Sequence, residues 1–575
     1  MFWTDGLIPS YRHFGLDLLS LFYAGWFLNT STLQSISHAS FLLALNIVTR
    51  GGDQNFRNRW PITFPLLGII AMEIFAFTLN YVLTNTFDKV PWYETLKGWG
   101  RVLCLVLQNL LLLMSVVLCG LFPVVKLPSP KGPYAIGVLE DLCIPVNWKA
   151  AAAKIQAVQP KNCQDSSLLG KHEYMQHQNH VSARLFYPTS QKLVASTYYI
   201  HPTFATDLCN SVMSHAAPSP LNKFGFLLYN WKLVSIPAQP NASLLNQDKP
   251  IPLVVYSHGL FGTPHMYTKQ ALDLAANGYM VLMIHHRDGS APYIKLQGEA
   301  NRQYQEFKHW LEGPIREQLT KLSDATLFVR CRRDQTVFRA TEMLAVTQAL
   351  LEANSRQSRI CPSLETLFNL SKTAIDTTRI TFMGHSFGGA TAMTATSVAL
   401  YHFSTNPSSQ TWSPSAIVAH EPANDWSPDF TRYTLYDNNL LEASGSDITY
   451  EGGTGGYVLG DETLIRNLLT SSVRTIHSVP TLVLYSTQWA SQGWGGSKLL
   501  HDISKSQKLI KVHTIPHAYH QEFSDTCSLI PLWIGRMTRQ IAPKADSGGK
   551  NPVDNLEVIW NHTYHDFLKP LHTLK

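Results

Sequence analysis

The sequence predicts a parallel α/β domain preceded by an α-helical membrane domain. Three observations carry that reading. Residues 102–125 run 24 positions without a charge between Arg101 and Lys126, enough at 1.5 Å per residue to cross a hydrocarbon core of about 30 Å. Beyond residue 126, apolar runs of strand length alternate with helical patterns, the signature of strands covered by helices. A Gly-His-Ser-Phe-Gly segment at 384–388 then stands between such a strand and such a helix.

Residues 61–83 form a second apolar run interrupted only by Glu73, and weaker ones lie at 13–28, with Asp17, and at 36–49. Trp26, Trp60, Trp92 and Trp99 sit near the ends of these runs, where an interfacial aromatic belt would place them. Residues 1–126 are therefore expected to be a multi-pass membrane domain. Its sidedness stays open. Arg50, Arg57 and Arg59 against Asp53 favour the cytoplasm for the 50–60 loop, whereas sequons at Asn29, Asn241, Asn369 and Asn561 suit a luminal face.

Composition excludes several classes. With 45% hydrophobic and 15% charged residues, against roughly 25% charged in an ordinary soluble domain, the chain is not disordered. Gly at 34 and Pro at 32 exclude a collagen-like repeat. A net charge of +6 without a basic stripe gives nucleic-acid binding no support. Eight cysteines without a C-x-x-C pair argue against a zinc ribbon or a dithiol redox site.

After the Pro/Gly/Lys linker at 126–133, buried parallel strands are expected at 253–257, 279–285, 379–383, 416–421, 481–486 and 510–515, each apolar on both faces. Helical patterns separate them at 267–277 and 334–353, and residues 135–200 add short strands with an antiparallel edge. A domain over 127–545 results, followed by a tail at 546–575.

In G-x-S-x-G the glycines permit a sharp strand-to-helix turn that lifts the Ser386 hydroxyl clear of the sheet. A serine nucleophile needs a base later in the chain and an acid between them. His520, just past the strand at 510–515, is the candidate base. His513 falls inside that strand and His517 precedes the loop apex. No H-E-x-x-H pattern accompanies these histidines, so no metal is expected. The acid is either Glu421, at the end of its strand, or Asp425 four residues on. Oxyanion donors are expected from the backbone N–H groups of Phe387, after the serine, and Leu260, in the loop after 253–257.

At this point the residues resemble the platelet-activating-factor acetylhydrolases of the plasma and intracellular type II group. PLVVYSHGL at 252–260, HHRDGSA at 285–291, GHSFGGAT at 384–391 and HAYHQEFSD at 517–525 carry the likeness in order. Weaker blocks are GPYAIG at 132–137, HVSARLFYP at 180–188 and VRCRRDQ at 329–335, so the resemblance covers roughly 130–545. It implies an α/β-hydrolase fold (a mostly parallel sheet with helices on both faces) and calcium-independent hydrolysis of short or oxidised sn-2 acyl esters of phospholipids, with no cofactor. By motif, Ser386 is similar to the family nucleophile, His520 to its base, and Leu260 with Phe387 to its oxyanion donors. Trp426 and Trp489 would line the acyl or glycerol side. Phospholipid and the bilayer are the partners implied.

Three departures stand out. Glu421 occupies the place where the family carries Asp. Residues 430–475 look inserted between acid and base. The membrane front is absent from the secreted members. A general carboxylesterase or thioesterase, or a silent membrane scaffold, are the rival readings on the same fold.

Overall fold

The computed structural model describes residues 127–156, 180–192, 197–216, 219–223, 231–232, 234–294, 302–303, 324–355, 361–405, 412–428, 475–530 and 552–573, with isolated positions between them. The membrane domain expected over 1–126 lies outside the described residues, as does nearly all of the 430–475 segment. Among the described residues no helix is long and apolar enough to cross a membrane.

The apolar runs become strands where the sequence places them. The main sheet comprises β1 (Ala135–Pro145), β2 (His180–Thr189), β3 (Gln239–Pro240), β4 (Ile251–Ser257), β5 (Met280–His285), β6 (Ile375–His385), β7 (Ala416–His420), β8 (Thr481–Ser486) and β9 (Ile510–Ile515). Its spatial order is β9-β8-β7-β6-β4-β5-β2-β1-β3. Only the pairings of β2 with β1 and β5 are antiparallel; the rest are parallel.

Side chains alternate across the pleat and both faces are covered. On one face Val254, Tyr256, Val281, Met283 and Leu484 pack with Leu272 and Ala275 of α1 (Thr268–Ala276). On the other, Leu253, Val255, Leu282 and Phe382 meet Val337 and Met343 of α2 (Asp324–Asn354) and Ala392 and Ala395 of α3 (Phe387–Thr405). Towards the β9 edge, Ile417 and Val483 pack on Leu500 and Ile503 of α4 (Ser497–Ser506). Two-sided burial is why the inner strands read as continuous apolar runs; β9, expected at 510–515 to be buried on both faces, is instead an edge strand that exposes Lys511 and Thr514.

Two elements differ from the expectation. Helix α2 starts at Asp324 rather than near 334; Arg332 and Gln335, polar and buried, interrupt the apolar stripe where the pattern would otherwise extend back. Residues 552–573 are no tail: α5 (Pro552–Trp560) runs on through a π-helical turn at Asn561–Leu568. Its Ile559, Trp560, Phe567 and Leu568 join the first core, and Thr563 Oγ1 lies 3.1 Å from His420 Nε2 on β7.

Strand order fixes where a site can form. From β4 the chain steps to β5 on one side and then to β6 on the other, leaving a switch point between β4 and β6. Open α/β sheets bind ligands outside the carboxyl ends of strands at such a point. Gly384 is registered against Ser257 and Ala419, so the ends of β4, β6 and β7 lie level there.

Candidate active site

Ser386 follows β6 and precedes α3 directly, in the left-handed region at φ 57°. The two motif glycines are there for space. A Cβ on Gly384 would come within 2.2 Å of Gly388 O, and one on Gly388 within 2.0 Å of Ser257 O. The backbone pins the strained residue on both sides: Ser386 N–H donates to His420 O at 2.7 Å, and Ala423 N–H donates to Ser386 O at 3.1 Å.

Glu421 follows β7, also left-handed at φ 48°, and is fully buried. Its Oε1 accepts the Ser486 N–H at 2.6 Å, and its Oε2 accepts a short hydrogen bond from His520 Nδ1. Burial alone would raise this carboxyl. The His520 charge and the contacts with His385 and His520 outweigh it and hold the group down to about 2. Asp425 is turned elsewhere, its Oδ2 accepting the Gly495 N–H at 2.9 Å. Of the two carboxylates left open by the sequence, it is Glu421 that meets His520.

His520 opens a short 3-10 turn (His520–Phe523), and its N–H donates to Gln488 Oε1 at 3.0 Å. The ring is stacked against Trp489, centroids 4.6 Å apart and planes 21° from parallel. With Nδ1 engaged by Glu421, Nε2 is the nitrogen left for a substrate-side proton. The competing histidines go elsewhere. His513 stacks on His562 at 4.9 Å, and His517 lies on the exposed turn, where its N–H donates to Thr487 Oγ1. Trp426 packs edge-on against the Phe387 ring at 5.3 Å.

The loop after β4 is braced from below. Arg339 of α2 donates from Nη1 to His258 O at 2.6 Å, pairs with Asp288 at 2.7 Å, and lies 4.3 Å over the Phe387 ring. Ser290 O accepts the Phe261 N–H at 2.9 Å. His286 N–H donates to His258 Nε2 at 3.3 Å, so neutral His258 carries its proton on Nδ1 and donates to Gly259 O at 2.8 Å. Burial and the Arg339 charge hold His258 well below the usual imidazole range. Beneath lies a buried Ser257–His286–Glu342 array, 2.7 Å at each joint. Against this braced frame, the N–H groups of Leu260 and Phe387 have no acceptor among the hydrogen bonds of the described residues.

One contributor escaped the sequence reading. His385, the variable position before the serine, lies 4.5 Å from the His520 ring and puts Nε2 3.6 Å from Glu421 Oε2. No spacing rule marks it, because its neighbours come from three other segments. His385, Glu421 and His520 are also the group of ligand-type side chains, among the described residues, with donor atoms within 4.8 Å of one another. Two of those atoms already bond each other.

The family described as platelet-activating factor acetylhydrolase, isoform II, matches residues 119–407, half of the chain. The chain belongs to this family. The match includes Leu260, Ser386 and Phe387 and ends before Glu421 and His520. The platelet-activating factor acetylhydrolase of Canis lupus familiaris is 33% identical over 168 residues, 28% of this chain and 36% of that protein. Its counterpart in Gallus gallus is 32% identical over 170 residues, again 28% of this chain and 38% of that protein. The chain thus spans little more than a third of the length of these relatives. A ferulic acid esterase from Streptomyces cinnamoneus overlaps 76% of this chain and 90% of its own, at 16% identity and a TM-score of 0.40.

Proposed function

We propose that this member of the platelet-activating factor acetylhydrolase isoform II family is a membrane-anchored serine esterase acting through an acyl-enzyme on short or oxidised sn-2 acyl chains of phospholipids. The observation that carries the reading is the Glu421–His520 pair, built at the same sheet end as a left-handed Ser386. Substrate class follows from the family and from the names of the relatives. The membrane anchor follows from the uncharged run at 102–125.

In this mechanism His520 Nε2 takes the Ser386 proton as Oγ attacks the acyl carbonyl. Glu421 holds the Nδ1–H tautomer and stabilises the imidazolium that forms. The oxyanion is met by the acceptor-free N–H groups of Leu260 and Phe387, the second at the start of α3 where the helix dipole favours negative charge. His520 returns its proton to the leaving lysophospholipid, and water, activated by the same histidine, releases the carboxylic acid. Trp489 backs the imidazole, and Trp426 walls the acyl side beyond Phe387.

Labelling with a fluorophosphonate probe tests the reading directly. Wild-type protein is expected to label and Ser386→Ala to lose the label, after which a panel of phospholipids with graded sn-2 chains gives the preference. Labelling and turnover of simple esters without phospholipid turnover would replace the reading by a general carboxylesterase. A folded wild type that does not label would remove the hydrolase altogether.

A further inference from the structure

A chain of side-chain contacts that the proposed mechanism does not use runs from Glu421 to the oxyanion loop. Gly259 N–H donates to the Tyr267 hydroxyl oxygen at 3.2 Å, and that hydroxyl lies 2.9 Å from His385 Nδ1. Tyr267 carries one proton, and among the hydrogen bonds of the described residues His385 Nδ1 is the one acceptor within its reach. The proton therefore goes to Nδ1, which acts as acceptor. Neutral His385 then bears its own proton on Nε2, the nitrogen 3.6 Å from Glu421 Oε2. The opposite tautomer would aim a lone pair at a carboxylate. Burial and the His520 charge keep His385 neutral by lowering it to about 4. Phe523 stacks on its other side, 7° from parallel.

The far end of this wire is an oxyanion donor. Gly259 O accepts from His258 Nδ1 and from Gly262 N–H at 3.1 Å. In a trans peptide the N–H points opposite to the C=O, so these bonds aim the Leu260 N–H. Tyr267 fixes the preceding N–H of the same segment, at a contact so close that a Cβ on Gly259 would stand 2.9 Å from the Tyr267 hydroxyl.

Resting on the hydrolase reading above, we propose that His385 and Tyr267 are positioning residues. They set the oxyanion peptide at Gly259–Leu260 relative to the Glu421–His520 pair, and neither touches the reacting atoms. They act through a single joint, the Tyr267 hydroxyl on His385 Nδ1.

The test uses the full-length protein in four variants: Tyr267→Phe, His385→Leu, the nearly isosteric His385→Asn, and the double variant Tyr267→Phe/His385→Leu. On a soluble short-chain ester, Tyr267→Phe and His385→Leu are each expected to lower kcat about 10-fold or more, part of the 10²–10³ that losing an oxyanion donor costs. KM should stay within about twofold, because the oxyanion forms only after binding. His385→Asn, whose amide oxygen can take the place of Nδ1, is expected to recover to within about threefold of wild type. The double variant should be no slower than the slower single, since both remove the same joint. Unchanged kcat in the single variants, additive losses in the double, or an Asn variant as slow as the Leu variant would each overturn the proposal. Hydrogen exchange across 257–262 on the same proteins needs no turnover. Faster exchange in Tyr267→Phe and His385→Leu but not in His385→Asn supports the joint, and unchanged exchange overturns it. A wild type that turns over no ester defeats the proposed function, and the exchange measurement then decides the positioning by itself.

Discussion

Replacing Glu421 by Gln isolates what its second oxygen does. The native carboxylate accepts twice, from the Ser486 N–H at Oε1 and from His520 Nδ1 at Oε2. Glutamine offers one acceptor oxygen and an NH2 that only donates. Ser486 is a backbone donor, 2.6 Å away and fully buried, and it cannot reverse its role. The amide oxygen must therefore face Ser486, and the NH2 must face His520. His520 can meet a donor only by moving its proton to Nε2, which removes the lone pair needed by Ser386. An equivalent carboxylate-to-amide change in a serine-protease triad costs about 10⁴ in kcat, or about 5.5 kcal/mol of transition-state stabilisation. The expected outcome for Glu421→Gln is a fall of that order in both fluorophosphonate labelling rate and kcat for a soluble ester, with thermal melting showing a folded protein. Asp425→Asn, whose native carboxylate braces Gly495, should stay within about tenfold of wild type. A Glu421→Gln enzyme within tenfold of wild type, or an Asp425→Asn enzyme equally impaired, would refute the reasoning.

Three further outcomes follow from the same geometry. Gly388→Ala would drive a Cβ to 2.0 Å from Ser257 O, a backbone atom, so chemical denaturation should show a loss of about 1–3 kcal/mol or more together with lost labelling. Leu260→Ala keeps its peptide N–H and should hold kcat within about threefold, whereas Leu260→Pro removes the donor and should cost about 10²–10³; equal effects of the two would exclude Leu260 N–H as a donor. Burial raises the Asp525 carboxyl from 3.8 to about 7, opposed by the Lys269 N–H at 3.1 Å. A raised carboxyl favours the folded state below its unfolded value, and that advantage is lost as pH rises through about 7. The loss has an upper size of about 4 kcal/mol at ~1.4 kcal/mol per unit. Glu421, held down to about 2, changes stability only below about 4.5. Thermal melts between pH 4.5 and 7.5 should therefore decline more steeply for wild type than for Asp525→Asn, and parallel curves would contradict the assignment.

Much of the sheet was legible because β4, β5, β7, β8 and the second half of β6 are buried on both faces and so read as uninterrupted apolar runs, whereas the edge strand β9 exposes Lys511 and Thr514. Ser386 was legible because its turn needs two glycines at fixed offsets, and both turn out to face backbone atoms. The acid was narrowed to two candidates four residues apart but no further, since the choice depends on which carboxylate β8 and the His520 turn approach. Arg339, Tyr267 and His385 gave no signal at all. Each is polar and buried, and each gains its meaning from partners 8 to 118 positions away in the chain. Helix α2 is longer than its apolar pattern for the same reason, since Arg332 and Gln335 are polar residues buried in a network. The helical stretch at 552–573 reads as a tail in sequence because a single amphipathic segment after a Pro/Gly/Lys-containing stretch carries no sign of the sheet it covers.

The contact between His420 and Thr563 means that the strand carrying Glu421 is covered late in synthesis. His420 ends the strand that delivers Glu421, and 143 positions separate it from the helix that packs on it. At about 5–20 residues per second of synthesis, roughly 7 to 30 s pass between the two leaving the peptidyl-transferase centre. During that interval β8, β9 and His520 are also still being made or are still inside the ribosomal tunnel. Glu421 therefore leaves the ribosome seconds before the segments that enclose it, and the buried Glu421–His520 pair forms only once residues 481–523 have been made.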